Sequence, residues 1–269
     1  MNKLLQKLFV KSLSRIEKRI RIVISASLLT LMMFSSTFVF FDNGWFIFIP
    51  LFIVVTYILT FFAVLEGVNN IEWITLFIVP LCISIVFYCL FFLFPSRWIT
   101  RIPFITMYGL TIYATLLCSN IFNVGVEKSL QLYRAAFSVN YFIHAFILFL
   151  TINVLLSFKF NFIINAVLTY GIIYTMAIQL LWTVKLRPNI ERVTHYYAIF
   201  IALLVTELMV FLSFVPIQTS IYALFIAAIY YSLAGLIFNY YDQRLFKQTI
   251  REYVFVLIFV CIIVFLTLT

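Results

Sequence analysis

Residues 196–215, YYAIFIALLVTELMVFLSFV, contain one charged side chain, Glu207, among twenty positions. At a rise of about 1.5 Å per residue, a helix of this length matches the roughly 30 Å hydrocarbon core of a bilayer. The rest of the chain repeats the pattern: of its 269 residues, 65% are hydrophobic and 10% are charged, and the mean hydropathy is +1.16. These values exclude a soluble enzyme, a disordered chain and a compact disulfide scaffold, and they indicate an integral membrane protein.

Nine apolar runs of this kind are separated by short stretches with helix-ending or polar residues. They predict an all-α fold, a polytopic transmembrane helical bundle of eight or nine spans, in a single domain over residues 22–269. Pro50 and Pro80 lie inside the second and third runs, where a helix is expected to kink or break. The predicted spans are Ile22–Phe41, Phe46–Leu65, Trp73–Phe94, Phe104–Val124, Ala135–Phe158, Phe162–Val184, Tyr196–Val215, Ile221–Tyr240 and Tyr253–Leu268.

Residues 1–21 predict a basic amphipathic helix that precedes the first span. Its basic residues recur at helical spacing, and apolar residues such as Leu5 and Phe9 occupy another face. A helix of this kind lies in the headgroup plane and is attracted to anionic lipid by about 1 kcal/mol per basic residue. We therefore expect anionic membrane lipids, and not nucleic acid, to be its partner. The candidate headgroup-binding residues are Lys3, Lys7, Lys11, Arg15, Lys18 and Arg19.

The distribution of basic residues predicts the orientation in the membrane. If the N-terminus is cytoplasmic, fifteen of the eighteen Lys and Arg residues lie inside, and Arg97, Arg101 and Lys159 lie outside. Basic segments near spans resist translocation, so this bias predicts a cytoplasmic N-terminus in the inner membrane. Arg97 and Arg101 depart from the rule, as do the acidic Glu66 and Glu72 on the cytoplasmic side.

Glu207 and His144 are the principal candidate functional residues. An acidic residue in the middle of a span costs about 2.5–3.5 kcal/mol, so Glu207 is expected to face the bundle interior and to be protonated or paired. Its functional interpretation is proton or cation handling, and its structural interpretation is an interhelical hydrogen bond. His144, near the middle of the fifth span, would pair with Glu207 if spans 5 and 7 touch, as a proton relay requires. A His bonded to a neighbouring hydroxyl or amide is the structural alternative.

Polar residues on spans 4, 5 and 6 extend this candidate site. The stripe on span 4 comprises Thr106, Gly109, Tyr113, Asn120 and Asn123, that on span 6 comprises Asn165, Thr169, Met176, Gln179 and Thr183, and span 5 places Asn140 and Thr151 on the face of His144. Such stripes fit either a hydrated cavity or ordinary helix packing through amide and hydroxyl groups. The candidate proton, ion or polar-cavity residues are Glu207, His144, Asn140, Asn120, Asn123 and Gln179.

Sequence signals of catalysis are missing. The chain contains no HExxH, GxSxG or P-loop motif, and His144 and His195 are its only histidines. Its four cysteines lie inside apolar runs without a CxxC pair or neighbouring ligands, which indicates core residues. No metal and no cofactor are expected, and an enzyme is the less favoured interpretation.

Two stretches carry a resemblance to a known family. They are Pro95-Ser96-Arg97-Trp98-Ile99-Thr100-Arg101, and Asn120-Ile121-Phe122-Asn123-Val124 through Leu132-Tyr133-Arg134-Ala135-Ala136. They resemble an uncharacterised family of multi-pass membrane proteins from candidate-phyla-radiation bacteria (Patescibacteria). The resemblance implies a bacterial inner-membrane location and brings no activity or site residue with it.

Two functions follow as hypotheses. The first is transport or sensing of protons, cations or a small solute through a polar cavity among spans 4 to 7, with Glu207 and His144 at its centre. The second is a non-catalytic scaffold or accessory subunit that binds lipid or other membrane proteins, which the near absence of soluble loops and the basic N-terminus favour. Glu207→Gln distinguishes the two functions. A transporter or sensor would lose its ion- or pH-dependent activity, whereas a scaffold would tolerate the substitution.

Overall fold

The structure, a computed structural model, describes residues 17–39, 41–65, 73–93, 97–124, 131–187 and 189–268. Within these ranges the chain forms nine α-helices, each long and apolar enough to cross a membrane. The predicted all-α polytopic bundle is therefore confirmed. The helices are α1 (Lys18–Ser36), α2 (Phe41–Ala63), α3 (Trp73–Phe91), α4 (Trp98–Val124), α5 (Gln131–Ser157), α6 (Phe162–Trp182), α7 (Arg192–Leu212), α8 (Thr219–Tyr241) and α9 (Lys247–Leu268).

The nine helices coincide with the nine predicted spans, with shifts at their ends. α1 begins at Lys18, so Lys18 and Arg19 form the first turn of the first spanning helix. Pro50 and Pro80 lie inside α2 and α3, and both helices continue through them. The remaining headgroup candidates, Lys3, Lys7, Lys11 and Arg15, lie outside the described residues.

Three helices are followed by a residue with a positive φ angle. Lys159, Leu186 and Gln243, after α5, α6 and α8, have φ values of 53°, 45° and 58°. A left-handed residue turns the chain away from the helix axis, a role that glycine usually performs. The break at Lys159–Asn161 is the weakest in the sequence, and this conformation makes it a turn although it lacks Gly and Pro.

The helices pack in two compact units, Met1–Asn140 and Tyr141–Thr269, within the region that the sequence treats as one domain. In the first unit α1 packs against α2 and α4, and α3 packs against the same two helices, which makes a four-helix bundle. In the second unit each helix from α6 to α9 packs against the next, and α6 also contacts α8. α5 begins in the first unit and ends in the second.

Short polar side chains link the helices of the first unit. The Ser84 Oγ accepts a hydrogen bond from Thr56 at 3.1 Å and lies 3.0 Å from the Tyr108 hydroxyl, so one buried group joins α2, α3 and α4. Because lipid tails are as apolar as leucine, the hydrophobic effect does little to drive association of spans. Interhelical hydrogen bonds and close packing therefore contribute a larger share of the association energy in a membrane. Close packing is shown by Gly109, where an added Cβ would lie 2.9 Å from the Thr30 hydroxyl of α1.

Arg101, one of the charges that depart from the orientation rule, is held by aromatic rings. It lies in the first turn of α4 and is 9% exposed. Its guanidinium carbon lies 4.6, 5.0 and 5.8 Å from the ring centroids of Phe38, Trp98 and Phe91. Ring faces attract a cation by about 0.5–2 kcal/mol, so this charge is accommodated locally at the end of a span.

Candidate functional site

His144 lies in α5 with no exposed surface, between side chains of α6 and α8. Its Nε2 lies 2.7 Å from the Gln179 Oε1, and its Nδ1 lies 3.1 Å from the Tyr230 hydroxyl oxygen. An amide oxygen only accepts, so Nε2 carries the proton of the bond to Gln179. We call His144, Gln179 and Tyr230 the polar cluster. The hydrogen bonds of this cluster join α5, α6 and α8 within the second unit.

The helical spacing of the sequence brings Gln179 to this cluster. Four members of the polar stripe predicted on span 6 lie on one buried face of α6: Asn165, Thr169, Met176 and Gln179. The fifth, Thr183, is buried directly after the helix ends at Trp182. Amide and hydroxyl groups on this face therefore contribute to packing inside the second unit, as one of the two interpretations of the stripe requires.

The candidate asparagines occupy separate places. Asn123 is buried in the first unit, where its Nδ2 donates to the Val64 carbonyl oxygen at 2.8 Å. Asn120, one turn earlier on α4, is half-buried. Asn140 is buried in α5, at the residue where the first unit ends. Asn120 and Asn123 thus belong to the first unit, whereas His144 and Gln179 belong to the second.

Glu207 lies in α7 with an exposed side chain, and it makes no hydrogen bond or ion pair with a described residue. The prediction that it faces the bundle interior is wrong. The predicted pair with His144 is not formed, because both ring nitrogens of that residue are bonded to Gln179 and Tyr230. The exposed face of α7 is as apolar as its buried face, so the sequence contains no signal for the direction in which Glu207 points.

A second polar network lies in the loop between α6 and α7. The Glu191 carboxylate accepts hydrogen bonds from the Lys185 Nζ at 2.6 Å and the Tyr241 hydroxyl at 2.9 Å, and it also pairs with Arg187. The bond from Lys185, followed by that from Tyr241, lowers the pKa of Glu191 below its usual value. The same bond, donated by Lys185 to Glu191, raises the pKa of Lys185. The network ties the loop to the end of α8.

A cavity of about 310 Å³ lies at the other end of α6, between the α5–α6 turn and the α7–α8 loop. Its wall includes Lys159, Asn165, Ser213 and Tyr222, and the Tyr222 hydroxyl donates to the Met209 carbonyl oxygen. We call it the Lys159 cavity. Its polar and apolar walls meet at an end of the helices, where a span leaves the hydrocarbon core.

Sequence reasoning missed three of these features. Tyr230 is one of sixteen tyrosines, and no pattern distinguishes it from the others. The composition of the loop did point to the Glu191 network, because Glu191 is the one acidic residue in the basic stretch 185–195. No sequence pattern indicated the Lys159 cavity, because its wall combines residues that are distant in sequence.

The nine apolar helices of the described ranges define a polytopic α-helical integral membrane protein. The chain belongs to a family described as a protein of unknown function, DUF5656, whose family model matches residues 62–267. The match extends from the end of α2 into α9 and includes the polar cluster, Glu207 and the Lys159 cavity. No curated protein and no solved structure matches the chain. The link to candidate-phyla-radiation bacteria stays a prediction.

Proposed function

We propose that this protein is a membrane scaffold that assembles through the α7 face around Glu207, with a second copy of the chain as its partner. One observation carries the proposal: a carboxyl group is exposed on a helix long and apolar enough to span the membrane, without a partner among the described residues. An acidic group facing lipid costs up to about 3 kcal/mol. A partner helix reduces that cost by supplying a hydrogen bond.

Glu207 lies in the middle of an exposed apolar stripe on α7. The members of this stripe recur every three or four residues, so they share one face of the helix. Four of them lie on α7, namely Tyr196, Phe200, Leu203 and Phe211, and Phe214 continues the stripe in the turn that follows the helix. All five are between 50% and 74% exposed. Large side chains around one polar group form a surface that another helix can cover, with packing from the rings and a hydrogen bond from the carboxyl group.

A second copy fits this face because the face is self-complementary. Two copies inserted in the same orientation are related by an axis along the membrane normal, so their α7 helices run parallel and identical residues meet. Two carboxyl groups in their acid form then bond reciprocally, each O–H donating to the carbonyl oxygen of the other. No other group is needed to satisfy Glu207.

Transport or sensing of protons, cations or a small solute receives less support. That hypothesis needs Glu207 and His144 in a common cavity, whereas Glu207 is exposed on α7 and His144 is fully buried with both ring nitrogens bonded. A flux into proteoliposomes that Glu207→Gln abolishes, without loss of folded protein, would favour transport over the scaffold.

Cysteine cross-linking in native membranes tests the proposed contact. The four native cysteines are replaced by alanine, and a single cysteine is introduced at Leu203 or Phe211, which flank Glu207 on the stripe. A disulfide requires Cα atoms within about 7 Å, so mild oxidation is expected to give covalent dimers at both positions. Phe255→Cys on α9 is the matched control, because Phe255 is 68% exposed and Phe211 is 70% exposed.

Two results would contradict the proposal. One is the absence of dimers at both Leu203 and Phe211, and the other is equal cross-linking at Phe255, which would indicate random collision. Glu207→Leu in the Phe211→Cys chain is expected to slow cross-linking, whereas Glu207→Gln is expected to retain it, since two amides also bond reciprocally.

The orientation in the membrane is part of the proposal: the N-terminus is cytoplasmic, in a bacterial inner membrane, and the basic N-terminal segment contacts anionic lipid. The excess of basic residues on one side supports it. Phe160 and Asn189 are exposed and flank opposite ends of α6, so Phe160→Cys and Asn189→Cys place labelling sites on the two sides of the membrane. A membrane-impermeant thiol reagent added to intact cells is expected to label Phe160→Cys only. Labelling of Asn189→Cys alone would show that the N-terminus lies outside and would contradict the proposed orientation.

A further inference from the structure

Two helix N-termini meet at the wall of the Lys159 cavity. Phe162 begins α6 and Thr219 begins α8, and both residues line the cavity. The first amide N–H groups of a helix lack intrahelical partners, and the helix dipole places about half a positive charge there. The N-cap residues, Asn161 and Gln218, form no side-chain cap hydrogen bond. Both N-termini therefore leave donors for an anion.

Lys159 adds a full positive charge to the same wall. Its side chain is exposed and makes no ion pair with a described residue. None of the residues that line the cavity is acidic. The wall therefore carries a net positive charge, which attracts an anionic group.

Asn165 gives an independent indication of a ligand. It lies on the cavity wall and is 7% exposed. Its Nδ2 donates one N–H to the Phe160 carbonyl oxygen at 3.3 Å, and its Oδ1 accepts no hydrogen bond. A buried amide with unused donor and acceptor capacity is costly unless another group completes its hydrogen bonds.

We propose that the Lys159 cavity binds the phosphate group of an anionic phospholipid whose headgroup carries a hydroxyl. The phosphate accepts hydrogen bonds from Lys159, from Asn165 and from the two helix N-termini, and a headgroup hydroxyl completes the bonding of Asn165. The volume of about 310 Å³ is at the lower limit of ligand sites, roughly 300 Å³, so it fits a headgroup rather than a whole lipid. Leu156, Val210 and Val215 form the apolar part of the wall, where the glycerol and acyl groups begin.

The inference is independent of association through α7, and lipid titration of the purified full-length chain tests it. Native mass spectrometry measures the dissociation constant of short-chain phosphatidylglycerol. Lys159→Asn removes the charge and keeps a residue that tolerates a positive φ, so binding is expected to weaken about fivefold. Lys159→Arg is expected to retain the affinity. Lys247→Gln, a change of an exposed lysine outside the cavity wall, is the matched control and is expected to change nothing.

Two further probes identify the source of the phosphate. Phosphatidylcholine of the same chain length lacks the net charge, and inorganic phosphate lacks the acyl chains. The proposal is supported if phosphatidylcholine and inorganic phosphate both bind more weakly than phosphatidylglycerol. Inorganic phosphate bound as tightly as the lipid would overturn a lipid as the ligand. An affinity for phosphatidylcholine equal to that for phosphatidylglycerol would overturn the site itself. A loss of affinity in Lys247→Gln as large as that in Lys159→Asn would also overturn it.

Discussion

His144 is held by two neutral hydrogen-bonding groups rather than by a carboxylate, so its first role is to join helices. His144→Leu removes one hydrogen bond from each of the buried groups Gln179 and Tyr230. We expect it to lower the free energy of unfolding by about 1–3 kcal/mol. Unfolding of the purified protein in mixed micelles measures the change. His195→Leu is the control, because His195 is half-buried and, among the described residues, its side chain hydrogen-bonds the Tyr174 hydroxyl alone. Its effect is expected to be smaller.

A double-mutant cycle of His144→Leu with Gln179→Leu separates the hydrogen bond from general packing. Interhelical hydrogen bonds in membrane proteins contribute about 0.6 kcal/mol on average and up to about 1.7 kcal/mol. The coupling energy is expected in that range. Additive effects of the two substitutions would contradict a role of this bond in stability.

The Glu191 network makes the α6–α7 loop sensitive to acid. The pKa of Glu191 is lowered in the folded loop, so its contribution is present above the unfolded value of about 4.3 and is lost as pH falls through the folded value. The pKa of Lys185 is raised, so its contribution is lost only at high pH, as pH rises through the folded value. Between these limits the network is intact.

We therefore expect faster hydrogen exchange of the loop amides of residues 185–187 and 189–191 below about pH 4 than at pH 7, beyond the intrinsic pH dependence of exchange. Glu191→Gln is expected to remove this extra acid dependence. Glu252→Gln, which affects an exposed carboxylate bonded to Gln248, is the control. An unchanged acid response in Glu191→Gln would show that other groups hold the loop.

At the residue scale, the sequence predicts some contacts better than others. Gln179 could be assigned to a buried polar face because Asn165 and Thr169 recur with it on one side of α6. Glu207 could not, because apolar residues surround it on both the buried and the exposed face of α7. When a helix is surrounded by lipid, its exposed residues are apolar as well, so the spacing of apolar residues no longer shows which face is buried.

At the scale of helices, Gly235 sets the distance between α8 and its neighbours. A Cβ at this position would collide with the Tyr141 hydroxyl and with the hydroxyl end of the Tyr253 ring. The Tyr141 hydroxyl is held there by the hydrogen bond that it donates to the Tyr231 carbonyl oxygen. Gly235→Ala is therefore expected to destabilise the protein by about 1–3 kcal/mol, as overpacking does.

Gly171 is the matched control for this prediction. It lies in α6, and an added Cβ there would meet nothing within 4 Å. Because alanine favours a helix over glycine, Gly171→Ala is expected to be neutral or to stabilise by up to about 1 kcal/mol. Thermal unfolding of the two variants measures the difference. Equal effects would contradict close packing at Gly235.

At the scale of the whole molecule, the number and order of the spans follow from the sequence, because each helix must satisfy its own backbone hydrogen bonds in lipid. The grouping of helices into two compact units does not follow from it. Those contacts depend on single small or polar residues, such as Ser84 in the first unit and Gly235 in the second, whose partners are distant in sequence.

The most direct test of the proposed scaffold is the monomer–dimer equilibrium of the full-length chain in liposomes. It is measured by energy transfer between labelled copies as the protein is diluted in lipid. Wild type and Glu207→Gln are expected to dimerise with similar affinity, and Glu207→Leu is expected to do so about tenfold more weakly, since it loses the reciprocal hydrogen bonds. A monomeric wild type, or equal dimerisation of Glu207→Leu, would contradict the account.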